Sequence, residues 1–262
     1  MVNTTTNNVV SSFKNLIICN EKLDKIEYVD LALCTQIADN HLLRLQEWVE
    51  YHRLIGFQRI YVYIDSPNFA KYKFLMDGYM KKHRHILTLV PFYFKHRQRP
   101  QQAVLHDCLY RMKVISKYVA FFDADEFLQG MTNISLKQYL DATISDEIPV
   151  VSILNWPFSN LRNTVPKFHE GFLESYKFRT RTPVVGARQK IIGRSDSLHY
   201  AGIHRPNGGE NLIESDANNG LRIVHFRYPP LGEWLDAKKK KKEINNFFFF
   251  SWQRKVFYNF KL

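Results

Sequence analysis

The chain has 262 residues, of which 45% are hydrophobic and 15% aromatic, and its net charge is +12 at pH 7. This length suits one α/β domain with a small appendage, and the aromatic content excludes a disordered chain. This excess of lysine and arginine over acidic residues is typical of proteins that bind nucleic acid, an anionic membrane or phosphate-bearing substrates. The sequence contains no zinc-finger, helix-turn-helix or RNA-binding aromatic motif, so we expect no nucleic-acid partner.

The N-terminus and the cysteines bear on location. Residues 1–12 lack the charged and apolar regions of a signal peptide, and no apolar run reaches the roughly 20 residues that span a bilayer. Cys19, Cys34 and Cys108 have no metal-ligand spacing, and a sparse, odd number of cysteines is typical of a reducing compartment. We therefore expect a cytoplasmic protein.

Hydrophobic periodicity predicts strands alternating with helices in the first half of the chain. Gly56 is expected to end the first helix. This order is typical of a largely parallel sheet with helices on both faces, as in doubly wound folds. The predicted elements are strand 28–34, helix 41–54, strand 59–64, helix 69–82, strand 86–94, helix 101–117 and strand 118–122.

The second half is less regular. Strands are predicted at residues 149–156 and 221–226, a loop at 160–171, and a helix from residue 233. Residues 172–180 fit a strand or a short helix, and residues 186–200 fit a strand followed by a turn. The lysine run 238–242 and the aromatic residues after it either pack as a helix across the domain or lie on an anionic membrane surface.

The stretch 119–127 is the most informative segment. An apolar strand ends there in three acids within four residues, Asp123, Asp125 and Glu126. Asp123 and Asp125 alternate, so their side chains can point the same way. Two convergent carboxylates at a strand end can hold Mg²⁺ or Mn²⁺, and such a cation can stabilise a leaving diphosphate. The alternative is an acidic turn after a core strand.

Several segments together resemble glycosyltransferase family 92 and related family-2-like enzymes. The resemblance covers roughly residues 31–228 and implies a GT-A fold, with a mostly parallel central sheet flanked by helices and an irregular acceptor-binding second half. It also implies a nucleotide-diphosphate sugar donor and a divalent metal. The matching segments are 33–36, 45–52 with Gly56, 60–66, 106–111, 122–128, 156–158, Lys190 and 225–228.

The chain also departs from the family pattern. Related enzymes often carry Asn-Glu after the first strand, where this chain has residues 38–40 as Ala-Asp-Asn. Animal members are usually anchored in Golgi membranes, whereas a compact form suits a bacterial or viral enzyme. We expect a lead-in (residues 1–27, partly disordered), one GT-A domain (28–232) and a basic aromatic helix or tail (233–262). The domain divides into a nucleotide-binding half (28–130) and an acceptor half (131–232).

The resemblance implies roles for individual residues. Asp125 and His225 are expected to bind the metal, and Asp123 to contact the metal or the ribose. Carboxylates, guanidinium groups and an ammonium group suit contacts with a ribose and a diphosphate. Asp65 could instead be an ordinary turn residue. Lys190 could instead be an exposed basic residue on a strand. The residues expected around the nucleotide are Thr35, Gln36, Asp65, Arg97, Arg99, Gln102, Asp107, Asp123 and Lys190.

The catalytic base is expected in the segment after the acidic strand end. An inverting transfer needs a carboxylate that deprotonates the acceptor hydroxyl. Glu170 and Asp196 are the candidates, with Glu174 and His204 also available in that segment. An apolar platform for a sugar is expected at residues 156–158, unless Trp156 and Phe158 pack in the core instead.

The predicted function is metal-dependent transfer of a sugar, from a UDP-sugar as the expected donor, to a hydroxyl of a glycan. Two alternatives stay open. One is a non-catalytic basic binding module with the same fold. The other is a nucleotidyltransferase, which would use paired acids and a metal on a related sheet.

Overall fold

A computed structural model describes residues 27–38, 45–83, 85–93, 100–159, 178–180, 183, 189–202, 204, 210–226 and 247–249. Its helices are α1 (Leu45–Leu54), α2 (Phe69–Lys82), α3 (Pro100–Met112) and α4 (Leu136–Thr143). Its strands are β1 (Val29–Ile37), β2 (Arg59–Ile64), β3 (Leu87–Pro91), β4 (Ser116–Phe121), β5 (Glu126–Gly130), β6 (Val150–Ile153), β7 (Asn155–Ser159), β8 (Phe178–Thr180), β9 (Lys190–Arg194), β10 (Leu212–Glu214), β11 (Leu221–Phe226) and β12 (Phe247–Phe249).

The larger sheet has the order β10-β6-β9-β4-β1-β2-β3. β1 is parallel to β2 and β4, and β2 is parallel to β3. β9 is antiparallel to both β4 and β6, so it alone among these seven strands runs the other way. The predicted α/β class, with a mostly parallel central sheet flanked by helices, is therefore confirmed. The chain order reverses between β1 and β4, and ligands bind at such switch points in open α/β sheets.

Both faces of the larger sheet are buried, as the alternation of side chains along its strands requires. Leu31 and Leu33 of β1 lie in the core cluster that contains Trp48 of α1. Ala32 and Cys34 of the same strand lie in the second cluster, with the apolar side of α3. Parallel sheets covered on both faces have such continuous apolar strands.

The smaller sheet has the order β12-β8-β7-β11-β5. α1 connects it to the rest of the domain. The Trp48 indole donates a hydrogen bond to the backbone oxygen of Glu126 (2.8 Å), and the Tyr51 hydroxyl donates to that of Leu128 (2.7 Å). Two of the motif segments noted above, in α1 and at the acidic strand end, therefore contact each other directly.

Some boundaries differ from the predicted ones. The strand predicted at 149–156 is two strands, β6 and β7, which separate at Leu154 and join different sheets. β5 and α4 were not predicted, although Ser135 and Gln138 form a capping box at the start of α4. The C-terminal helix prediction is wrong for residues 247–249, which pair with β8 as a strand. The predicted loop at 160–171 lies outside the described residues.

Cys34 of β1 and Cys108 of α3 form a disulfide bond, with their Cα atoms 6.4 Å apart. Both side chains are fully buried. Two of the three cysteines are therefore paired, which their sparse, odd number did not predict. In the described part of the chain, no helix is long and apolar enough to cross a membrane.

We expect acid to destabilise the domain through His52. This side chain is fully buried among the rings of Trp48, Tyr51 and Phe127, and burial lowers its pKa to about 3. The unfolded chain binds a proton at this histidine below its ordinary pKa, whereas the folded chain does not. The free energy of unfolding therefore falls as the pH drops from about 6.5 toward 3, by up to about 1.4 kcal/mol per unit from this group.

Urea unfolding at about pH 7 and about pH 5.5 measures this loss. His52→Phe removes the titrating group while keeping a ring in the cluster, so its stability should depend less on pH over this range. The matched control is His85→Phe, which alters an exposed histidine. An equal pH dependence in parent and His52→Phe would contradict the assignment.

Candidate active site

The site lies at one edge of the larger sheet, where the neighbouring parallel strands β1 and β4 end. Asp123 and Asp125 follow β4 directly. Because β9 runs antiparallel to β4, with Ile191 opposite Phe121, its first residue Lys190 stands at the same edge. His225 of β11 pairs in register with Glu126 of β5. The two sheets thus bring residues from four strands together.

A buried ion pair organises the acids. Lys190 is 1% exposed, and its Nζ lies 2.8 Å from Oδ2 of Asp123 and 3.0 Å from Oε2 of Glu126. The same Oε2 accepts a hydrogen bond from the backbone N–H of Asp123 at 2.8 Å. Lys190 is therefore not the exposed strand residue considered as its alternative role, and Glu126 fixes the turn that carries Asp123.

Burial and charge act in opposite directions in this cluster. Burial raises the pKa of Glu126 to about 7, and the Lys190 ammonium opposes that rise. Burial favours the neutral form of Lys190, but Glu126 and Asp123 outweigh it and raise the pKa of Lys190 above its ordinary value. Lys190 is therefore a fixed cation among the carboxylates at neutral pH.

Asn155 connects this pair to His225. A carboxylate only accepts hydrogen bonds, so the amide Nδ2 of Asn155 faces Oε1 of Glu126 at 3.0 Å. The same Nδ2 lies 3.1 Å from Nδ1 of His225, and Nε2 of His225 lies 3.2 Å from Oδ2 of Asp125. A neutral His225 ring then accepts at Nδ1 and donates from Nε2 to Asp125. Burial lowers the pKa of His225, but the hydrogen bond to Asp125 and the nearby acids raise it overall.

A cavity of about 340 Å³ opens beside these groups. Gln101, at the start of α3, donates from Nε2 to Oδ1 of Asp123 at 3.1 Å. Gln101, and not the predicted Gln102, therefore faces the strand end. Helix phase alone does not decide which of two adjacent glutamines does so. The lining residues are Gln36, Ala38, Gln101, Asp123, Ala124, Asp125 and His225.

The ends of β1 and β2 place three further predicted residues on the same edge of the sheet. Nε2 of Gln36 donates to Oδ2 of Asp65 at 3.1 Å. Thr35 and Asp65 are 2% and 8% exposed, and Oγ1 of Thr35 and Oδ1 of Asp65 are buried without a hydrogen-bond partner among the described residues. Buried polar atoms in proteins are usually paired, so these two atoms are exceptions at this edge of the sheet.

Other predicted residues are not brought to the cavity. Asp107 accepts from the Tyr63 hydroxyl (2.6 Å) and from Nε of Arg111 (2.8 Å). Asp196 pairs with Arg194, which is in register with Tyr118 near the amino end of β4, the end opposite to Asp123. The structure gives Gln102, in α3, no place in the cavity lining. Arg97, Arg99, Glu170 and Glu174 lie outside the described residues.

The aromatic residues proposed as a sugar platform are core residues. Trp156 is 5% exposed and Phe158 is 1% exposed, and the Phe158 ring packs against Phe226. His204 lies near the start of β9, with Nδ1 3.3 Å from the backbone oxygen of Gln189. It therefore stands close in space to Gln189, the residue before Lys190, but is not among the cavity-lining residues.

The side chains at the cavity fit a hard divalent cation. Asp125 and His225 offer an oxygen and a nitrogen ligand of the kinds that Mn²⁺ accepts. No three His, Cys, Asp and Glu side chains of the described residues are grouped to hold a cation by themselves. Phosphate oxygens would complete such a site, as in many magnesium–nucleotide sites. Oδ1 of Asn155 is buried without a hydrogen-bond partner among the described residues.

Comparison with known proteins identifies the family. The fold belongs to the class of doubly wound α/β proteins with a polar site at the switch point. The model of "Glycosyltransferase family 92" matches residues 29–255. The chain therefore belongs to glycosyltransferase family 92.

Curated relatives span plants and animals. A glycosyltransferase family 92 protein of Oryza sativa subsp. japonica is 26% identical over 229 residues, which are 85% of this chain and 37% of the relative. Beta-1,4-galactosyltransferase galt-1 of Caenorhabditis elegans is 33% identical over 203 residues, 70% of this chain and 44% of the relative. Galactan beta-1,4-galactosyltransferase GALS3 of Arabidopsis thaliana is 23% identical over 196 residues, which are 70% of this chain and 38% of the relative. The chain spans less than half the length of each of these relatives.

Lys190→Met should strongly destabilise the domain. The substitution leaves Asp123 and the buried Glu126 close together without their cation, and breaking a buried pair in this way costs roughly 3–5 kcal/mol. Urea unfolding at neutral pH measures the loss. Adding Glu126→Gln to Lys190→Met removes one of the two charges and should restore part of the stability. A Lys190→Met variant as stable as the parent would show that the ion pair is not required.

Proposed function

We propose that this protein is a metal-dependent glycosyltransferase that moves a sugar from a nucleotide-diphosphate donor to a hydroxyl of a glycan. The observation that carries the proposal is the pairing of Asp125 with His225 at the cavity. This pair stands beside Asp123, whose carboxylate is held by Lys190 and Gln101. Membership of family 92 supports the reaction class.

In this proposal Asp125 and His225 would hold Mn²⁺ or Mg²⁺. When bound, such a cation would offset the negative charge that develops on the leaving diphosphate. Nε2 of His225 must give up its hydrogen bond to Asp125, and Nδ1 must carry the ring proton.

The remaining residues of this edge suit the donor. Gln36, Thr35 and Asp65 offer polar atoms for a nucleobase and a ribose, and we propose UDP as the nucleotide. Arg97 and Arg99 precede α3 and are proposed to contact the diphosphate, since guanidinium groups bind phosphate with paired donors. Lys190 acts through Asp123, because its ammonium is already engaged by two carboxylates.

We propose galactose as the transferred sugar, with inversion at the anomeric carbon. The support is that two relatives are named beta-1,4-galactosyltransferases, and a β-linked product from an α-linked donor requires inversion. Inversion in turn requires a base on the side opposite the leaving group, and Glu170 is the proposed base.

A panel of UDP, GDP, CDP, ADP and ATP, titrated calorimetrically with and without Mn²⁺, tests the proposal. We expect Mn²⁺-dependent binding of UDP above the others. Absence of binding to every nucleotide would favour a non-catalytic binding module. Turnover of a nucleoside triphosphate with release of pyrophosphate would indicate a nucleotidyltransferase instead.

Asp125→Ala should abolish Mn²⁺-dependent UDP binding while the chain stays folded, because the half-buried carboxylate supplies a metal ligand and lines the cavity. Calorimetry measures binding, and circular dichroism checks the fold. The matched control is Asp146→Asn, which changes an aspartate whose side chain is 85% exposed and pairs with Arg194 away from the cavity. Unchanged Mn²⁺-dependent binding of UDP by Asp125→Ala would contradict the assignment of Asp125 as a metal ligand.

Glu170→Gln should lower the turnover of UDP-galactose by about 10²- to 10⁴-fold, the usual contribution of a general base. UDP binding should be unchanged, because the base acts on the acceptor. The comparison variant is Asp196→Asn, which we expect to keep parent turnover, since Asp196 pairs with Arg194 at the opposite end of β4. Release of UDP from UDP-galactose in the presence of a glycan acceptor measures the turnover of both variants. Loss of activity in Asp196→Asn alone would assign the base to Asp196.

A further inference from the structure

α2 presents large apolar side chains to water. Phe74 is 80% exposed and Leu75 is 49% exposed, whereas Tyr72 and Met76 are buried at 0% and 3%. Tyr72 and Met76 fix the helix against the core, so the helix phase directs Phe74 away from the core and leaves Leu75 on the flank of the exposed side. Single exposed apolar residues are common, but two adjacent ones on a fixed helix need a reason.

Lysines surround these two residues. A helix advances 100° per residue, so positions three, four and seven apart share a side. Asp77 is an acid of this helix, and its Oδ2 pairs with Nζ of Lys81 at 2.6 Å. A side chain at Gly78 would begin in open space, because, apart from the adjacent residues and the helix's own backbone, none of the described atoms lies within 4 Å of the Cβ position there. This turn of the helix is therefore uncovered. We call the following residues the α2 face: Lys71, Phe74, Leu75, Gly78, Lys81 and Lys82, all exposed.

We propose that the α2 face docks on an anionic lipid bilayer. Exposed lysines attract acidic headgroups, while Phe and Leu side chains enter the boundary between headgroups and acyl chains. A nucleic acid would satisfy the lysines but leave the Phe74 ring in water. The net charge of +12 adds a long-range attraction toward an acidic surface.

The α2 face is separate from the candidate active site. None of its residues lines the cavity, so the two surfaces share no side chain. α2 begins soon after Asp65, whose carboxylate stands at the cavity edge of the sheet. Docking through α2 would therefore hold the site near the membrane surface, and this inference does not depend on which reaction the site performs.

Co-sedimentation of the full chain with phosphatidylcholine vesicles, with and without phosphatidylserine, tests the proposal. We expect binding to the phosphatidylserine vesicles that weakens as salt is added. Phe74→Ser with Leu75→Ser, and separately Lys81→Gln with Lys82→Gln, should each weaken binding by about tenfold. Circular dichroism confirms that each variant is folded.

Two controls separate the α2 face from other basic or aromatic surfaces. Tyr110→Ser changes a 64% exposed aromatic residue on α3, next to Arg111 and near Lys113, and should leave binding unchanged. Replacing the lysines of residues 238–242 by glutamine tests the C-terminal run. The proposal is overturned if the parent does not bind, if the α2 variants bind like the parent, or if only the C-terminal variant loses binding.

Discussion

The candidate site depends on one buried cation. The ammonium of Lys190 lies between Asp123 and Glu126, and without it the buried carboxylate of Glu126 would lie beside that of Asp123 with no cation to offset their charges. Each carboxylate then serves another part of the site. Asp123 accepts from Gln101 and so sets the position of α3, while Glu126 accepts from Asn155, which lies against His225. The antiparallel direction of β9 is what brings this cation to the acidic edge.

α1 provides the second constraint, because it fixes the smaller sheet to the larger one. Trp48 and Tyr51 bond to backbone oxygens of β5, immediately beyond the acids. β11, which carries His225 to the cavity, pairs with β5 on one side and with β7 on the other. The position of one proposed metal ligand therefore depends on helix side chains that never touch the cavity. This explains physically why the motif in α1 accompanies the acidic motif.

Sequence patterns predicted what depends on local periodicity. The strands that lead to Asp65 and Asp123 have alternating or continuous apolar runs. Parallel pairing of such strands predicts that their carboxyl ends lie at the same edge of the sheet. Lys190 was harder to interpret, since its burial depends on carboxylates far away in the chain. Asn155 carries no motif of its own, and the change of sheet at Leu154 lies within an unbroken apolar run. Such features are set by tertiary contacts that no short window of sequence contains.

The disulfide between Cys34 and Cys108 closes a covalent ring. The ring is large, because the two cysteines are 74 positions apart in the chain. The ring contains α1, β2, α2 and β3. Cleavage of any peptide bond within it, for instance in the turn at residues 65–68, would leave two chains that remain joined through sulfur. They would migrate together on a gel without reductant and separate with it. A nicked molecule would also keep β1 and α3 attached, so the edge that carries Asp123 would not lose its neighbours.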